Sequence, residues 1–262
     1  MAQEIETTLA VACSDPAGLM EEIAALRSLG PYRLVPGPAC ALGDTYYDTP
    51  SRLLSARGIA LRTRELGEEV LFCIKQDERL DETGTAVRDE IELPWSRQCI
   101  DHASHILHKL ASGINEVLPE AGSPRECLAC LGLVPIQERL TDRLVLDASY
   151  ADGPFPGTVA EMALDRVRYI VAALGVLHHE IEIEAKLPDD TGPVRELALL
   201  LRQRYPESLR PWRHNKLVTG FALERLMAEG RLPVVPGRYT HPAAEAYDAM
   251  DAMLRGLDSW TG

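Results

Sequence analysis

Two stretches near opposite ends of the chain alternate charged and apolar side chains with a period of two residues. The first is QEIETTLAV at residues 3–11, and the second is HHEIEIEAK at residues 178–186. Successive side chains of an extended strand point to opposite faces, so each stretch has one charged face and one apolar face. The pattern predicts two β-strands, at about 3–13 and 177–187, in which the glutamates share a face.

Six further strands are predicted between these two, from short apolar or alternating runs bounded by turn residues. They cover about 41–48, 58–65, 69–76, 85–92, 134–149 and 159–172. A single strand of this kind usually turns its charged face to water. Eight such strands with antiparallel turn spacing instead favour a closed or nearly closed barrel. We therefore predict an α+β fold, an eight-stranded antiparallel β-barrel with helices packed outside it and charged faces inside.

Several of these strands carry charged side chains at alternate positions. The sets that share a face are Arg62 with Arg64, Arg88 with Glu90 and Glu92, Arg139 with Arg143, and Glu161 with Asp165. A barrel interior that holds both carboxylates and guanidinium groups is costly unless something neutralises them. Mg²⁺ prefers oxygen ligands and substrate phosphates, and arginine offers a planar fork that matches phosphate oxygens. The composition of this face therefore suggests a phosphate chain with bound metal.

Helical patterns occur in the sequence segments between and after the predicted strands. Residues 14–30 have Ser14 as a candidate N-cap and Gly30 as a candidate stop. Two more helices are expected at about 190–204 and 214–229, and the segment 96–132 is interpreted as a polar, partly helical insertion.

The end of the chain has a different character. A proline-containing linker follows residue 229, and an amphipathic helix is predicted to begin near Pro242. The rest of the sequence offers this helix little to pack against. We therefore expect one domain at 1–229, followed by a linker and a helix at 230–262.

The overall charge limits the expected partners. The chain has 262 residues and a formal net charge of −13, which argues against a broad nucleic-acid-binding surface. No apolar run approaches the ~20 residues that a membrane span needs, and no secretory signal is visible. The six cysteines are scattered, as in proteins of a reducing compartment. We expect a cytoplasmic protein with no nucleic-acid or membrane partner, and its oligomeric state stays open.

Eight motifs occur in a characteristic order from the first residues to about 222. They are EIE at 4–6, YYDTP at 46–50, RGIALRTR at 57–64, Lys75 within its strand, RDEIE at 88–92, ALD at 163–165, EIEIE at 180–184 and Lys216 in HNKLVTGF. In these eight motifs the chain resembles the CYTH superfamily, also called the triphosphate tunnel metalloenzymes. The fold of that superfamily is a closed barrel that forms a tunnel. Members hydrolyse inorganic triphosphate, thiamine triphosphate or nucleoside triphosphates, cyclise ATP, or handle polyphosphate. The chain most resembles bacterial inorganic triphosphatases with a C-terminal helical CHAD domain, and its last helix resembles the first helix of that domain.

The resemblance implies roles for individual residues and a Mg²⁺ or Mn²⁺ cofactor. The implied metal ligands are Glu4, Glu6, Glu180, Glu182, Glu184 and Glu90, with Glu92 as a second supporting carboxylate. The implied substrate-binding residues are Arg62, Arg64, Lys75, Arg88, Arg143 and Lys216, with Arg139 as a further candidate. Glu4, Glu6, Lys75 and Arg62 are the implied catalytic residues. The implied substrate is inorganic triphosphate, a nucleoside triphosphate or polyphosphate.

One position departs from the family pattern. The family's opening motif is ExExK, and this chain has Thr8 where the lysine is expected. Lys75 or Lys186 is a candidate to compensate. The resemblance leaves three functions open: a triphosphatase acting on inorganic triphosphate, a polyphosphate-binding module with weak or no turnover, and an adenylate cyclase of the same superfamily.

Several other patterns are interpreted as structural. Cys127 and Cys130 form a lone CxxC, which without a second pair favours neither zinc nor redox chemistry. The histidines at 102, 105 and 108 have helical spacing and are interpreted as a solvated helix face. His178 and His179 are expected at the surface, with orientation of a ligand by one of them as the alternative. Tyr46, Tyr47 and Asp48 are expected to serve in turn and wall packing.

Overall fold

The computed structural model describes residues 2–82, 84–110, 122–152, 157–171, 174–188, 190–232 and 239–258. The strands are β1 (Ala2–Val11), β2 (Ser28–Leu29), β3 (Tyr32–Pro36), β4 (Cys40–Asp48), β5 (Ala60–Leu66), β6 (Glu69–Leu80), β7 (Ala86–Pro94), β8 (Val134–Tyr150), β9 (Ala160–Val171), β10 (Leu174–Ala185), β11 (Leu209–Trp212) and β12 (Tyr239–Thr240). The helices are α1 (Pro16–Ala24), α2 (Arg97–Leu110), α3 (Pro124–Cys130), α4 (Gly192–Arg204), α5 (Lys216–Ala228) and α6 (Ala244–Asp258).

Eight strands pair in a closed antiparallel ring. Their order is β1-β7-β6-β5-β4-β8-β9-β10, and β10 pairs again with β1. The four remaining strands extend this sheet at its margins: β11 beside β1, β12 beside β10, and the β2–β3 hairpin beside β8. The predicted fold class, an eight-stranded antiparallel barrel with helices outside it, is confirmed.

The chain divides into two compact units, which are described separately. The first comprises residues 1–3, 41–78 and 88–139. In this unit β5 pairs with β6, and the apolar face of the pair contributes Leu61, Phe72 and Ile74 to a buried cluster with α2 and α3. Side chains at alternate positions, such as those of Arg62 and Arg64, therefore point away from that cluster.

The second unit comprises residues 4–40, 79–87 and 140–262. The apolar face of β1, β9 and β10 packs with α1 and α4, and Leu9, Leu164 and Ile181 are buried there. A second buried cluster joins α5 and α6 to the opposite face of the same three strands, through residues that include Tyr169 and Val176.

The first helix is shorter than the sequence pattern predicts. It spans Pro16–Ala24, and its N-cap is Asp15, whose carboxylate accepts a hydrogen bond from the backbone of Gly18. The prediction of Ser14 as the cap is wrong. The chain also leaves the helix before Gly30, because Ser28 and Leu29 pair with the strand that follows.

The C-terminal helix packs more extensively than the sequence pattern predicts. Tyr247, Met250 and Leu254 on α6 are buried in the cluster that contains Leu223 and Leu226 of α5. The expectation that this helix has little to pack against is therefore wrong. The domain boundary at 229 stays a prediction. No helix among the described residues has the length and apolar character that a membrane crossing requires.

Candidate metal and phosphate site

Glutamates from the two ends of the chain lie on neighbouring strands. In the antiparallel pairing of β1 with β10, Glu6 is opposite Glu184 and Thr8 is opposite Glu182. Opposed residues of a strand pair project to the same side of the sheet. The structure therefore brings the two alternating stretches together with their charged faces on one side.

The third strand of this surface is β9, which pairs with β10. Its residue Asp165 is opposite Glu180, and Glu161 is opposite Glu184. Ile181 and Ile183, at the alternate positions of β10, are fully buried on the other side. Burial of that apolar face fixes the register, because a slip by one residue would place isoleucine among the carboxylates.

Three carboxylates on this surface form a cluster with the geometry of a cation site. One oxygen from each of Asp165, Glu180 and Glu182 lies within 4.8 Å of the others. The side chains of Asp165 and Glu180 are almost fully buried, whereas Glu182 is partly accessible.

Two basic side chains contact the same cluster. Arg143 from β8 donates two hydrogen bonds to Asp165, from Nε at 2.7 Å and from Nη2 at 2.6 Å. Its Nη2 also donates to Glu182 at 2.8 Å. The ammonium of Lys216 lies 3.0 Å from Asp165 and forms ion pairs with Glu180 and Glu182. Lys216 is the first residue of α5, and the preceding Asn215 caps that helix by accepting a hydrogen bond from the backbone of Val218.

Burial and neighbouring charges shift the pKa values of Lys216 and Glu180 in opposite directions. Burial lowers the pKa of Lys216, but the carboxylates of Glu180, Glu182 and Asp165 outweigh it and raise the pKa above its usual value. Burial likewise raises the pKa of Glu180, but Lys216 and His178 outweigh it, and the net effect is a lowered pKa. Lys216 and Glu180 are therefore both charged at neutral pH.

The donor set of the cluster fits a hard divalent cation. Mg²⁺ and Mn²⁺ take carboxylate oxygens as ligands, and the three closest donors are all carboxylates. The same oxygens already surround the positive charge of Lys216. The cluster therefore already accommodates a cationic group.

A histidine and a tyrosine extend the cluster on the side of Glu180. His178 Nε2 lies 2.8 Å from Glu180 Oε2, and His178 Nδ1 lies 3.0 Å from the hydroxyl of Tyr247. His178 and Tyr247 are both completely buried. The expectation of a surface role for His178 is therefore wrong, because the side chain fills the space between β10 and α6.

The other glutamates predicted as metal ligands in this unit lie beside the three-carboxylate cluster. Glu6 is buried on the charged face of β1, opposite Glu184 and two residues before Thr8. Glu184 forms an ion pair with Lys186 at 3.0 Å. Burial raises the pKa of Glu184, and Lys186 only partly opposes this effect, with Glu4 nearby as a further negative charge. Among the described residues, the cluster comprises Asp165, Glu180 and Glu182 only.

The first unit contains a separate group of basic side chains around Asp44. Arg64 contacts this carboxylate at 2.8 and 3.1 Å, and Arg139 contacts it at 2.9 and 3.1 Å. Arg62 lies 3.9 Å away from Asp44. Burial would raise the pKa of Asp44, but the three guanidinium groups outweigh it and hold the pKa well below its usual value.

Tyr46 joins this group through its hydroxyl. The oxygen accepts hydrogen bonds from Arg139 at 2.6 Å and from Arg62 at 3.2 Å, so its role goes beyond the packing expected from the sequence. Burial raises the pKa of Tyr46, but the neighbouring guanidinium groups outweigh it and lower the pKa.

The remaining predicted basic residues of the first unit are paired with carboxylates. Lys75 lies 3.5 Å from Glu90, and Arg88 lies 3.1 Å from Glu78. Glu92 accepts a hydrogen bond from the thiol of Cys73 at 3.1 Å.

Four residues of these two groups were not among the site residues expected from the sequence. Asp165 shares a face with Glu161 and belongs to the ALD motif, so its alternation was a usable signal. His178 begins the glutamate-rich alternation and has the same parity as Glu180. Asp44 and Tyr247 carry no signal of this kind, because only tertiary packing brings them to their partners.

Comparisons with known proteins agree with the strand topology. The sequence model of the CYTH domain matches residues 39–207. The fold is similar to that of HpAC1 from Hippeastrum, described as a candidate adenylyl cyclase with a dominant triphosphatase activity. The two share 20% identity, the match covers 88% of this chain and 97% of that one, and the TM-score is 0.52. This likeness supports the fold.

Two other solved structures are more distantly similar. A candidate adenylate cyclase from Bacillus halodurans shares 19% identity over 83% of this chain and 97% of its own, with a TM-score of 0.46. The inorganic triphosphatase NE1496 shares 17% identity over 72% of this chain and 77% of its own, with a TM-score of 0.24. No protein of curated function matches the chain by sequence.

Proposed function

The chain belongs to the CYTH family, and from this we propose that it is a metal-dependent triphosphatase that converts inorganic triphosphate to pyrophosphate and phosphate. One observation carries the proposal. Asp165, Glu180 and Glu182 form a carboxylate cluster that also contacts Arg143 and Lys216. The two kinds of group that a metal–phosphate complex requires therefore occur together.

Asp165, Glu180 and Glu182 would hold Mg²⁺ or Mn²⁺. When bound, the metal supplies positive charge to phosphate oxygens and helps to orient an attacking water. Glu180 keeps its charge at neutral pH because Lys216 and His178 lower the pKa of this carboxylate.

Arg143 and Lys216 would bind phosphate oxygens. Arg143 presents a planar fork, which matches the geometry of a phosphate. Lys216 is held by the carboxylates that we assign to the metal, so neutralising them would free its ammonium for a phosphate oxygen. Charge stabilisation of this kind accounts for most catalysis of phosphoryl transfer. For Arg62, Arg64, Lys75 and Arg88, substrate binding stays a prediction from the family resemblance, as does metal binding for Glu4, Glu6, Glu184 and Glu90.

Thr8 favours a second candidate function. It stands opposite Glu182 at the position where the family has a lysine, so the cluster has one positive charge fewer than the family pattern supplies. A chain with this change could bind polyphosphate and release little or no product.

The test is a phosphate-release assay with inorganic triphosphate, ATP and long-chain polyphosphate, each with Mg²⁺, Mn²⁺ or EDTA. We expect metal-dependent release of phosphate and pyrophosphate from inorganic triphosphate. Glu182→Gln should reduce the rate by a factor on the order of 100. The matched control is Asp142→Asn, since Asp142 is half-exposed on β8 and pairs with Arg168.

Three outcomes would contradict the proposal. Tight binding of polyphosphate without product would identify a binding module. Cyclic AMP from ATP, with no release of phosphate from triphosphate, would identify a cyclase. Full activity of Glu182→Gln would show that the carboxylate cluster is not the metal site.

A further inference from the structure

We propose that Tyr247, on the C-terminal helix, positions Glu180 as a metal ligand by acting through His178. The inference rests on the metal site of the proposed function. Tyr247 lies on α6, outside the segment 39–207 that matches the family. It is a positioning residue, because it reaches Glu180 only through His178.

A continuous chain of hydrogen bonds joins α6 to the carboxylate cluster. The Tyr247 hydroxyl lies 3.0 Å from Nδ1 of His178, and Nε2 of His178 lies 2.8 Å from Oε2 of Glu180. All three side chains are excluded from water. Water therefore cannot replace a lost partner at low cost, since a buried polar group without a hydrogen bond is destabilising.

The two oxygens of Glu180 have different partners. Oε2 contacts His178, whereas Oε1 contacts the ammonium of Lys216. The histidine therefore fixes the rotation of the carboxylate and leaves Oε1 facing the cation site. Hydrogen bonds of this kind behind a metal ligand orient the ligand and tune its affinity for the metal.

Glu180 determines which nitrogen of His178 carries the hydrogen, because its charged carboxylate only accepts hydrogen bonds and therefore faces a donor at Nε2. Nδ1 of the neutral imidazole then carries no hydrogen and accepts from the hydroxyl of Tyr247. Tyr247 thus supplies the buried Nδ1 with its hydrogen-bond partner and holds the ring in the orientation that Glu180 needs. We assign this tautomer from the hydrogen-bond network.

The position of Tyr247 is itself fixed by packing. Its ring lies edge-on to Trp212, with centroids 5.6 Å apart, and the same distance separates it from His178. Met250 and Leu254, on the same helix, are buried in the cluster that contains Trp212. The docking of α6 thus controls the geometry of one carboxylate of the site.

The test compares Tyr247→Phe with the wild-type protein, both as the full chain. We expect the affinity for Mn²⁺ without triphosphate, measured by electron paramagnetic resonance of free Mn²⁺, to fall about tenfold. We also expect the ¹⁵N resonance of His178 Nδ1, recorded at one neutral pH, to shift because this nitrogen loses its hydrogen bond from the tyrosine hydroxyl, while Nε2 keeps its hydrogen. The second readout is independent of turnover and of metal.

Tyr32→Phe is the matched control. Tyr32 is also completely buried, and its hydroxyl donates to Glu196 at 2.6 Å within the other apolar cluster of the same unit. This variant should lose comparable thermal stability while its Mn²⁺ affinity and the His178 spectrum stay unchanged.

His178→Gln provides a second variant with a specific expectation. Its amide nitrogen can still donate to Glu180, and it lacks the Nδ1 that accepts from Tyr247 in the wild type. It should keep Mn²⁺ affinity within a few-fold of the wild type, and adding Tyr247→Phe should then have little further effect. This result is expected even if Tyr247→Phe alone proves hard to produce.

Three results would overturn the inference. They are unchanged Mn²⁺ affinity and His178 spectrum in Tyr247→Phe, an equal loss of affinity in Tyr32→Phe, and a wild-type protein that binds no Mn²⁺. Binding of Mn²⁺ that depends on Tyr247, without hydrolysis of triphosphate, would instead support the positioning role and contradict only the proposed function.

Discussion

Thr8 lies directly opposite Glu182 in the pairing of β1 with β10. Its side chain is nearly buried on the charged face, next to a carboxylate that already contacts Arg143 and Lys216. A longer, positively charged side chain at this position would reach the same cluster.

We predict that Thr8→Lys increases the turnover of inorganic triphosphate by about tenfold or more, because one well-placed charge contributes a few kcal/mol to a phosphoryl transition state. The measurement is kcat from phosphate release with saturating Mg²⁺. Thr8→Met, which has a long but neutral side chain, should not increase kcat. If both variants behave alike, then the missing lysine does not limit catalysis.

A second prediction concerns Lys216, whose ammonium occupies the region where we place the metal. Lys216→Met removes the only lysine that contacts all three carboxylates among the described residues. We expect a loss of about 3–5 kcal/mol in unfolding free energy without metal, since buried carboxylates lose a counter-charge. Mn²⁺ should then raise the melting temperature more than in the wild type, because the ion replaces the ammonium.

The control for this prediction is Lys186→Met. Lys186 pairs with Glu184 and Glu161 at a more exposed position, so its loss should change the Mn²⁺ response little. Equal Mn²⁺ stabilisation of Lys216→Met and the wild type would mean that lysine and metal do not compete for these oxygens.

A third prediction concerns Asp44, which balances the guanidinium groups of the first unit. Asp44→Asn should lower the unfolding free energy at pH 7 by about 3 kcal/mol or more, because the buried Arg139 and Arg62 lose their counter-charge. Urea unfolding measures this difference, with the half-exposed Asp142→Asn as control.

The pH dependence of the Asp44 effect follows from the direction of its pKa shift. The pKa in the folded protein is well below 3.8, its usual value. The carboxylate therefore contributes its full stabilisation above the usual value and loses it as the pH falls through the folded value. The stability difference between the wild type and Asp44→Asn should shrink below about pH 4. A difference that stays constant down to pH 2.5 would contradict the assigned direction.

The barrel could be predicted from the sequence because its signal is local. Alternation at 3–11 and 178–186 identifies strands and the charged side of each, and turn residues separate the strands between them. Burial of Ile181 and Ile183 on one side then leaves the glutamates on the other. The same alternation puts Arg143 and Glu182 on the charged faces of their strands, and the structure shows them 2.8 Å apart.

The composition of the carboxylate cluster could not be predicted, because it depends on the register between strands. Asp165 belongs to the cluster because it lies opposite Glu180. Glu184 lies two residues after Glu182 on the same strand and pairs with Lys186 instead. The short α1 and the buried His178 were missed for a similar reason. Pairing of residues 28–29 with β3 ends the first helix early, and docking of α6 covers His178.

A fourth prediction concerns the helix that covers His178. A chain shortened to end at residue 229 would expose Trp212 and Leu223 to water, since both pack in the cluster that α6 completes. Exposed apolar patches of this kind promote self-association. We expect the shortened chain to sediment as aggregates or melt several degrees lower, while the full chain does not. Equal solubility and melting temperature would contradict this expectation.

The burial of Tyr247 on α6 also has a practical consequence. The match to the CYTH domain ends at residue 207, yet α5 and α6, which lie beyond it, complete an apolar cluster with three barrel strands. Expression and purification of this protein for crystallisation or assay should therefore include residues up to at least 258. A gene designed on the family match alone would omit the α5 and α6 side chains that pack against the barrel strands.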